Sequence, residues 1–365
     1  MIVTLVVSVV FNTLTGIFVN KTKKNCMKIA IIGSKSADSL EENLREAFEH
    51  VGHEAKVFDI YDLKRFSLKR IKGITYTLDK IARAYSDVYD RKLFEILFKR
   101  VKVFSPGLVV CVYRFIHPSF VDLCKADGAK VIHVNPDALT TFGYQQVFAS
   151  NYDAWFTKDP YIVSFMRGNM HLNVYQYNEA FNARGHKKPE MSKSVCEEEV
   201  GIDVMTYGTM YPYRCRMLKA VADSGINLKI YGTIPHRFYN HDLDRCYQNK
   251  YITGAEKSKL LFGAKIVFNQ MHYAEIESVN NRFFEVNGSG AFQLSDYRPI
   301  LKDLLPFDPK LVSFSTIDEG IEKIRYYLKH DNERYEIADT VYRHFMNNYT
   351  YDHLIEYLMN TIYSL

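Results

Sequence analysis

The sequence predicts an α/β protein made of two doubly wound domains, followed by C-terminal helices. From Met27 onward, short apolar strands alternate with amphipathic helices, which is typical of parallel sheets covered on both faces. Residues 183–200 interrupt this alternation with a charged segment, after which the alternation restarts. The length of 365 residues also suits two hydrophobic cores better than one.

The first domain is predicted to span residues 27–185. Its strands are expected at KIAII (28–32), EAKVFDI (54–60), 107–113, 130–135, 154–158 and 173–177. A helix should follow Ser39, because Ser39 and Glu42 form a capping box and apolar residues then recur at helical spacing as far as Val51. Gly52 ends that pattern.

The second domain is predicted to span residues 201–335, after a linker at 186–200. Its strands are expected at IDVMTYG (202–208), NLKIYG (227–232), KIVFNQ (265–270), AFQLSD (291–296) and LVSFST (311–316). RCRMLKAVADSG (214–225) is predicted to be a helix that ends at Gly225. Residues 336–365 are predicted to be C-terminal helices.

Residues 1–26 form an apolar extension that does not fit this pattern. MIVTLVVSVVFNTLTGIFVN lacks the basic start and the cleavage site of a signal peptide, and its lysines follow the apolar run. Such an order of charge would leave the bulk of an anchored chain in the cytoplasm. Two interpretations are open: a start codon chosen upstream of the native Met27, or a weak membrane anchor.

The composition narrows the classes of protein. Hydrophobic residues make up 47% and charged residues 24% of the chain, as in an ordinary globular protein. The formal net charge is +5, without a run of basic residues that would form a nucleic-acid arm. Six scattered cysteines contain no Cys-x-x-Cys pair, so we expect reduced thiols in a cytoplasmic protein.

Two carboxylates, Glu277 and Glu285, follow the predicted strand at 265–270. A spacing of eight would leave them about 80° apart on one helix, so they would not share a face. If Ser278 or Asn280 caps a helix that ends near Gly288, Glu277 lies in the loop before the helix and Glu285 within it. Both carboxylates could then face a cleft at the carboxyl edge of the second sheet, where ligands of open α/β sheets bind.

A simpler interpretation needs no ligand. Glu285 could pair with Arg282, three positions earlier, on a solvated helix face, and Glu277 could be an ordinary surface residue of the loop. The spacing alone does not decide between the two interpretations.

Three segments resemble a known family: YGTMYPYRCRMLKAV, YITGAEKSKLLFGAKIVFNQ and NNRFFEVNGSGAFQLSDY. They are similar to the carboxyl-terminal domain of the CgeB-like glycosyltransferases, named after a spore maturation protein. That family in turn resembles the retaining GT-B glycosyltransferases, whose Glu-x7-Glu motif has the spacing of Glu277 and Glu285. The likeness covers about residues 27–355 and is strongest after residue 200.

The resemblance implies a GT-B fold with two Rossmann-like domains that face a cleft, and the transfer of a sugar from a nucleotide diphosphate sugar to an acceptor. Retention of the anomeric configuration is implied by the Glu-x7-Glu match alone. The family generally needs no metal, and the donor is a substrate, so no cofactor is expected. The expected partners are the donor and a glycan or other small acceptor, with no nucleic acid and a possible weak membrane association through residues 1–20.

The resemblance also implies roles for individual residues around the donor. The second glutamate of the motif, Glu285, would hold the ribose hydroxyls, since a carboxylate can accept from both at once. Glu277 would lie near the donor sugar. The amides at the helix start, from Ser278, Val279 and Asn280, would face the diphosphate.

The chain departs from the superfamily pattern at the phosphate site. Ser278, Val279 and Asn280 replace a glycine-bearing loop, and Thr209 follows Gly208 where an arginine is usual. Arg214 takes the position of a lysine, so one cation of the usual pair is missing. Cations at a helix start oppose the helix dipole, which favours a functional role for Arg214 or for Arg216, two positions later.

The remaining candidates lie around the cleft. Either Tyr251 or Ile252 would line the nucleotide base, although a buried strand end explains this segment equally well. Asp137 falls where the family has an acidic residue that faces the acceptor. Arg282 and His272 complete the candidate substrate-binding residues, and His272 also fits a structural histidine.

The sequence therefore predicts a glycosyltransferase in which Arg214 and the helix-start amides stabilise the leaving diphosphate. The rival hypothesis is a non-catalytic nucleotide- or glycan-binding protein of a coat or envelope. The missing cation is the feature that favours the rival.

Overall fold

The computed structural model describes residues 26–63, 72–139, 146–234 and 239–365. The predicted N-terminal extension therefore lies, apart from Cys26, outside the described residues. None of the helices in the described part combines the length and the apolar character that a bilayer crossing requires.

The first sheet has six parallel strands in the order β2-β1-β3-β4-β5-β6. They are β1 (Lys28–Gly33), β2 (Glu54–Asp59), β3 (Leu108–Cys111), β4 (Lys130–Asn135), β5 (Ala154–Thr157) and β6 (Val174–Gln176). The register places Ile29 between Ala55 of β2 and Leu108 of β3. All six predicted strands are confirmed.

The first-domain segment contributes five helices in the described residues. They are α1 (Leu40–His50), α2 (Lys72–Tyr85), α3 (Asp87–Phe104), α4 (Pro118–Ala126) and α5 (Pro160–Met170). Helix α1 begins as the capping box predicted, because the Ser39 hydroxyl accepts a hydrogen bond from the backbone N–H of Glu42 at 3.3 Å.

The second sheet has five parallel strands in the order β11-β10-β9-β7-β8. All five of them were predicted. They are β7 (Ile202–Tyr207), β8 (Leu228–Tyr231), β9 (Ala264–Asn269), β10 (Gln293–Asp296) and β11 (Ser313–Phe314). The accompanying helices are α6 (Lys193–Val200), α7 (Pro212–Asp223), α8 (Gly254–Gly263), α9 (Asn281–Gly288), α10 (Leu301–Leu304) and α11 (Ile317–Tyr327). Helix α6 occupies the segment predicted as a linker and packs against α8.

The C-terminal segment is helical, as predicted, but its two helices belong to different cores. Helix α12 (Asp331–Asn348) packs on the second domain, where Phe345 contacts the rings of Phe283 and Phe284. Helix α13 (Tyr351–Tyr363) returns to the first sheet, in a cluster with the apolar side chains of β1 and α1. The chain thus passes between the domains twice.

The two passages lie side by side. The backbone N–H of Phe181 donates to the carbonyl of Tyr349 at 3.1 Å, and that of Tyr351 donates to the carbonyl of Phe181 at 3.3 Å. This bridge joins the two segments that connect the domains.

The carboxyl edges of the two sheets face each other. Lys158 directly follows β5 and contacts Glu275, which lies in the loop after β9, at 2.6 Å. Parallel strands end at one edge of a sheet, so this contact brings together the two edges at which α/β folds bind ligands.

Candidate active site

A cleft of about 490 Å³ lies between the two sheet edges. Its first-domain side is formed by Arg114, Pro136, Asp137, Ala138, Lys158 and Glu179, and its second-domain side by Thr209, Tyr211, His272, Glu275, Asn280, Asn281 and Arg282. Both domains therefore contribute charged side chains to it.

Two arginines lie side by side at the second-domain wall. The Arg214 guanidinium, on the first turn of α7, donates to the carbonyls of Thr209 and of Gln270, the latter at 3.4 Å. The Arg282 guanidinium, on α9, donates to the carbonyls of Tyr207 at 2.7 Å and of Gln270 at 2.6 Å. Backbone carbonyls at the ends of β7 and β9 thus fix both cations.

Neither cation is neutralised. Among the residues that the structure describes, no carboxylate forms an ion pair with Arg214 or Arg282, and the buried Nε of Arg214 has no hydrogen-bond partner. Burial, reinforced by the positive charge of Arg214, lowers the pKa of Arg282 to about 10. Two like charges held together in this way attract an anion.

Gly208 lies beside both guanidinium groups. A Cβ at Gly208 would lie 3.8 Å from a terminal nitrogen of each guanidinium, and its φ of +107° is one that side chains other than glycine rarely adopt. Thr209, the next residue, lines the cleft. Arg216 is exposed, so of the two arginines considered from the sequence it is Arg214 that reaches the site.

Glu285 lies in helix α9 with a largely buried carboxylate. Its Oε2 accepts from the Tyr207 hydroxyl at 2.8 Å, and its Oε1 accepts from Lys257 Nζ at 3.0 Å and Asn281 Nδ2 at 3.2 Å. The alternative in which Glu285 pairs with Arg282 on a solvated face is wrong. Arg282 donates to backbone carbonyls instead.

Helix α9 begins as predicted at Asn280, whose side chain accepts from the backbone N–H of Phe283 at 3.1 Å. The loop before it is attached to the first domain. Asp159, the residue that caps α5, accepts through Oδ2 from the amides of Glu277 at 3.1 Å and Ser278 at 3.3 Å, and from the Ser278 hydroxyl at 3.1 Å. These two amides thus already bind a carboxylate.

The side chains of the loop before α9 differ in burial and in their contacts. Ser278 and Val279 are buried. The Glu277 carboxylate is half-buried and forms no hydrogen bond or ion pair with any residue that the structure describes. The cleft wall contains Glu275, two positions earlier, which sequence analysis did not single out.

Glu275 belongs to a buried charge cluster that joins the domains. Lys158 Nζ lies 2.6 Å from Glu275 Oε1 and 3.3 Å from Glu179 Oε1. Burial opposes the charge of Lys158, but the two carboxylates raise its pKa above the usual value. One ammonium cannot compensate two carboxylates, and burial together with Glu275 raises the pKa of Glu179 to about 7.

Asp137 and His272 both line the cleft. The Asp137 carboxylate is half-exposed and pairs with Arg114 at 3.2 Å. The His272 ring stands edge-on to the rings of Tyr211 and Tyr213, at centroid distances of 5.5 and 5.7 Å. Burial lowers the pKa of His272, so this ring is neutral near pH 7.

The two candidates for the base differ in access. Tyr251 is exposed, whereas Ile252 is buried in a cluster with Tyr207 and Tyr231. Of these two side chains, therefore, only Tyr251 is accessible to a nucleotide base.

Besides Glu275, sequence analysis missed two charged residues of the cleft wall, Lys158 and Glu179. It also missed Lys257, which contacts Glu285, and Asp38, which contacts Lys257. Lys158 closes the predicted strand at 154–158, and its position at a carboxyl strand end was a signal that could have identified it. Asp38, Glu179 and Lys257 gave no such signal, because their contacts join segments far apart in the chain.

Comparison with known families concerns mainly the second domain. Residues 214–360 match the family model described as glycosyl transferase-like. This segment contains Arg214, Arg282, Glu277 and Glu285. No curated protein matches the sequence.

Solved structures match over nearly the whole chain. Sucrose-phosphate synthase from Thermosynechococcus elongatus superposes with a TM-score of 0.67 at 10% identity, covering 93% of this chain and 99% of that one. HepE from Anabaena, in complex with UDP-glucose, gives 0.67 at 12% identity over 93% and 100% of the two chains. The lipopolysaccharide outer core galactosyltransferase WaaB, in its apo form, gives 0.57 at 14% identity over 93% and 99%.

Identities this low establish the fold. The predicted α/β fold of GT-B type is thereby confirmed, while the assignment to the CgeB-like family stays a prediction. The glycosyl transferase-like match is confined to residues 214–360, and the solved structures show the GT-B type of fold over nearly the whole chain.

Proposed function

We propose that the protein transfers a sugar from a nucleoside diphosphate sugar, bound mainly by the second domain, to an acceptor that enters from the first. The observation that carries this proposal is the arginine pair, buried Arg214 and partly buried Arg282, which share the Gln270 carbonyl and have no carboxylate partner among the described residues. A diphosphate supplies the negative charge that this pair lacks.

The arginine pair also accounts for the chemistry of the transfer. Negative charge grows on the diphosphate as the bond to the sugar breaks, and fixed cations stabilise it without rearrangement. Backbone carbonyls already hold both guanidinium groups in place. The two arginines supply positive charge of the kind that a divalent metal supplies elsewhere, which supports the proposal that the reaction is metal-independent.

In the superfamily pattern an arginine follows the glycine at position 208, whereas this chain has Thr209. Arg282 supplies the second cation in its place. The missing cation was the main argument for a non-catalytic coat or envelope protein, and that hypothesis loses its support.

The nucleoside end of the donor is assigned to Glu285, with Tyr251 as the residue open to the base. The carboxylate of Glu285 is oriented by Tyr207, Lys257 and Asn281 and can still accept a hydroxyl. HepE has been solved with UDP and with UDP-glucose, so uridine nucleotides are the first ligands to test.

The sugar end and the acceptor are assigned to the opposite part of the cleft. We assign Glu277 to the donor sugar and Asp137 to the acceptor, with retention of configuration following from the Glu-x7-Glu spacing. Ser278, Val279 and His272 are assigned to the same end as neighbours of the sugar and diphosphate. Contact between the domains would exclude water and so limit hydrolysis of the donor.

A thermal-shift panel tests the proposal directly. UDP, ADP, GDP and TDP are each added to the purified protein, with inorganic phosphate and the free nucleosides as controls. A ligand at 100 times its Kd should stabilise the folded state by about 2.7 kcal/mol. Stabilisation by none of the diphosphates would contradict the proposed function.

Turnover tests the reaction type. The sugar derivative of the best diphosphate should be hydrolysed slowly without an acceptor, equally with and without EDTA. NMR of the released sugar, at times shorter than its mutarotation, should show the anomer of the donor. The opposite anomer would contradict retention.

A further inference from the structure

A buried lysine connects the residue assigned to ribose with the first domain. Lys257, on α8, has a side chain that is only 6% exposed, and its Nζ lies 3.0 Å from Glu285 Oε1 and 3.3 Å from Asp38 Oδ2. Asp38 lies in the loop that follows β1, in the first domain. One ammonium group is thus shared by carboxylates of both domains.

Asp38 is held firmly in this position. His186 Nε2 lies 3.1 Å from Oδ1, and the amide of Gly254, the first residue of α8, donates to Oδ2 at 3.4 Å. Thr253, the residue before this helix, makes no side-chain capping bond. Asp38 therefore caps a second-domain helix from the first domain, where a carboxylate is favoured by the helix dipole.

The charges keep Lys257 between its two partners. Burial disfavours its charged form, but Glu285 and Asp38 together raise the pKa of Lys257. The hydrogen bond from His186, with the charge of Lys257, lowers the pKa of Asp38. Both carboxylates compete for one cation, so a change at either one alters the position of Lys257 relative to the other.

Ribose binding would alter this balance. A carboxylate offers about four acceptor positions. In Glu285 three are occupied, by Tyr207, Lys257 and Asn281. The two hydroxyls of a ribose need two positions, so one donor has to give way. Lys257 is the donor with a second carboxylate within reach.

We propose that Asp38 is a positioning residue for donor recognition: it holds Lys257 and, through Lys257, sets the orientation of Glu285 and its capacity for the ribose hydroxyls. The first domain then contributes to the affinity for ribose without touching it. This inference rests on the proposed function, since it requires that Glu285 binds ribose.

The test compares UDP with 2′-deoxy-UDP by isothermal titration calorimetry. The parent protein should prefer UDP by about tenfold or more, the effect of about one hydrogen bond to a charged group. In Asp38→Asn this preference should fall at least threefold, because Lys257 moves toward Glu285 and occupies its acceptor positions. Affinity for pyrophosphate should stay unchanged. If another diphosphate of the thermal-shift panel binds best, it and its 2′-deoxy form are used instead.

Matched variants separate positioning from general damage. Asp127→Asn removes a first-domain carboxylate that pairs with Lys102 far from Lys257, and should keep the full ribose preference. Lys257→Met frees the acceptor position that Lys257 occupies on Glu285, so the double variant Asp38→Asn/Lys257→Met should recover the preference that Asp38→Asn alone loses. Lys265→Met is the control for Lys257→Met. It breaks a pair with Asp203 in the same domain and should leave the ribose preference as it is in the parent protein. Asparagine tolerates the φ of +60° found at Asp38, so Asp38→Asn should fold.

The possible failures are distinguishable. A full ribose preference in Asp38→Asn overturns the inference and leaves the proposed function intact. The absence of a preference in the parent protein instead removes ribose from Glu285, and the inference falls with that assignment.

Discussion

Replacing Arg214 with alanine is the sharpest test of the phosphate site. The change removes a buried guanidinium that donates to the carbonyls of Thr209 and Gln270 and lies beside Arg282. A hydrogen bond to a charged group contributes about 1.5–3 kcal/mol, so loss of one such contact should weaken UDP binding about 10- to 150-fold. Arg282 remains, so binding should be reduced and not abolished.

Calorimetric titration with uridine, UMP and UDP resolves which part of the ligand Arg214 contacts. Uridine has no phosphate, so Arg214→Ala should bind it with nearly the affinity of the parent protein. The loss of affinity should be larger for UDP than for UMP. Arg216→Ala is the matched control, because Arg216 lies two residues later in the same helix and is exposed. It should bind all three ligands as the parent protein does.

Two results would refute this reasoning. Equal losses for uridine and UDP in Arg214→Ala would mean that the variant disturbs the whole site and does not remove a phosphate contact. An equal effect of Arg216→Ala would mean that the general positive charge of helix α7, and not the arginine pair, attracts the ligand.

The other predictions concern four carboxylates and one glycine. Glu285→Gln should weaken uridine and the nucleotide-sugar alike and raise KM, whereas Glu277→Gln should spare uridine binding and lower kcat about tenfold, equal to about 1.4 kcal/mol. If Glu275→Gln lowers kcat and Glu277→Gln does not, the sugar-side role belongs to Glu275. Because the pKa of Glu179 is raised from 4.5 to about 7, its contribution to stability is full below about pH 4.5 and is lost as the pH rises through 7. The free energy of unfolding by denaturant should differ less between pH 5 and pH 8 in Glu179→Gln than in the parent protein. An unchanged difference would contradict the raised pKa of Glu179. Gly232→Ala should lower Tm and UDP affinity together, since its Cβ would lie 2.4 Å from the carbonyl oxygen of Gly208, which lies against Arg214 and Arg282. Normal UDP binding by this variant would contradict that reasoning.

Most strands of the two sheets were predictable because they contain short runs of apolar residues. KIVFNQ, for example, becomes β9, a central strand with helices on both faces. The start of helix α9 was predictable for a local reason, since Asn280 caps it through a hydrogen bond within three residues. Features that depend on neighbouring residues can be recognised in a sequence.

The partners of the site residues were not predictable in this way. Arg282 and Glu285 have the spacing of a helical ion pair, yet the carbonyls of Tyr207 and Gln270 take the guanidinium. Those carbonyls lie at the ends of two strands that only the folded sheet brings together. The contact between Asp38 and Lys257 is likewise set by how the two domains meet.

The position of helix α13 has a consequence for how the protein is made. Its side chains Leu354, Ile355 and Leu358 are buried together with residues of β1 and α1, near the other end of the chain. Domains generally fold in the order of their synthesis. Here the ribosome has to make the whole second domain before the helix that, together with α1, covers one face of the first sheet appears. Part of that apolar face therefore stays open throughout that interval, and the second domain, although synthesised later, is the first to have its complete core.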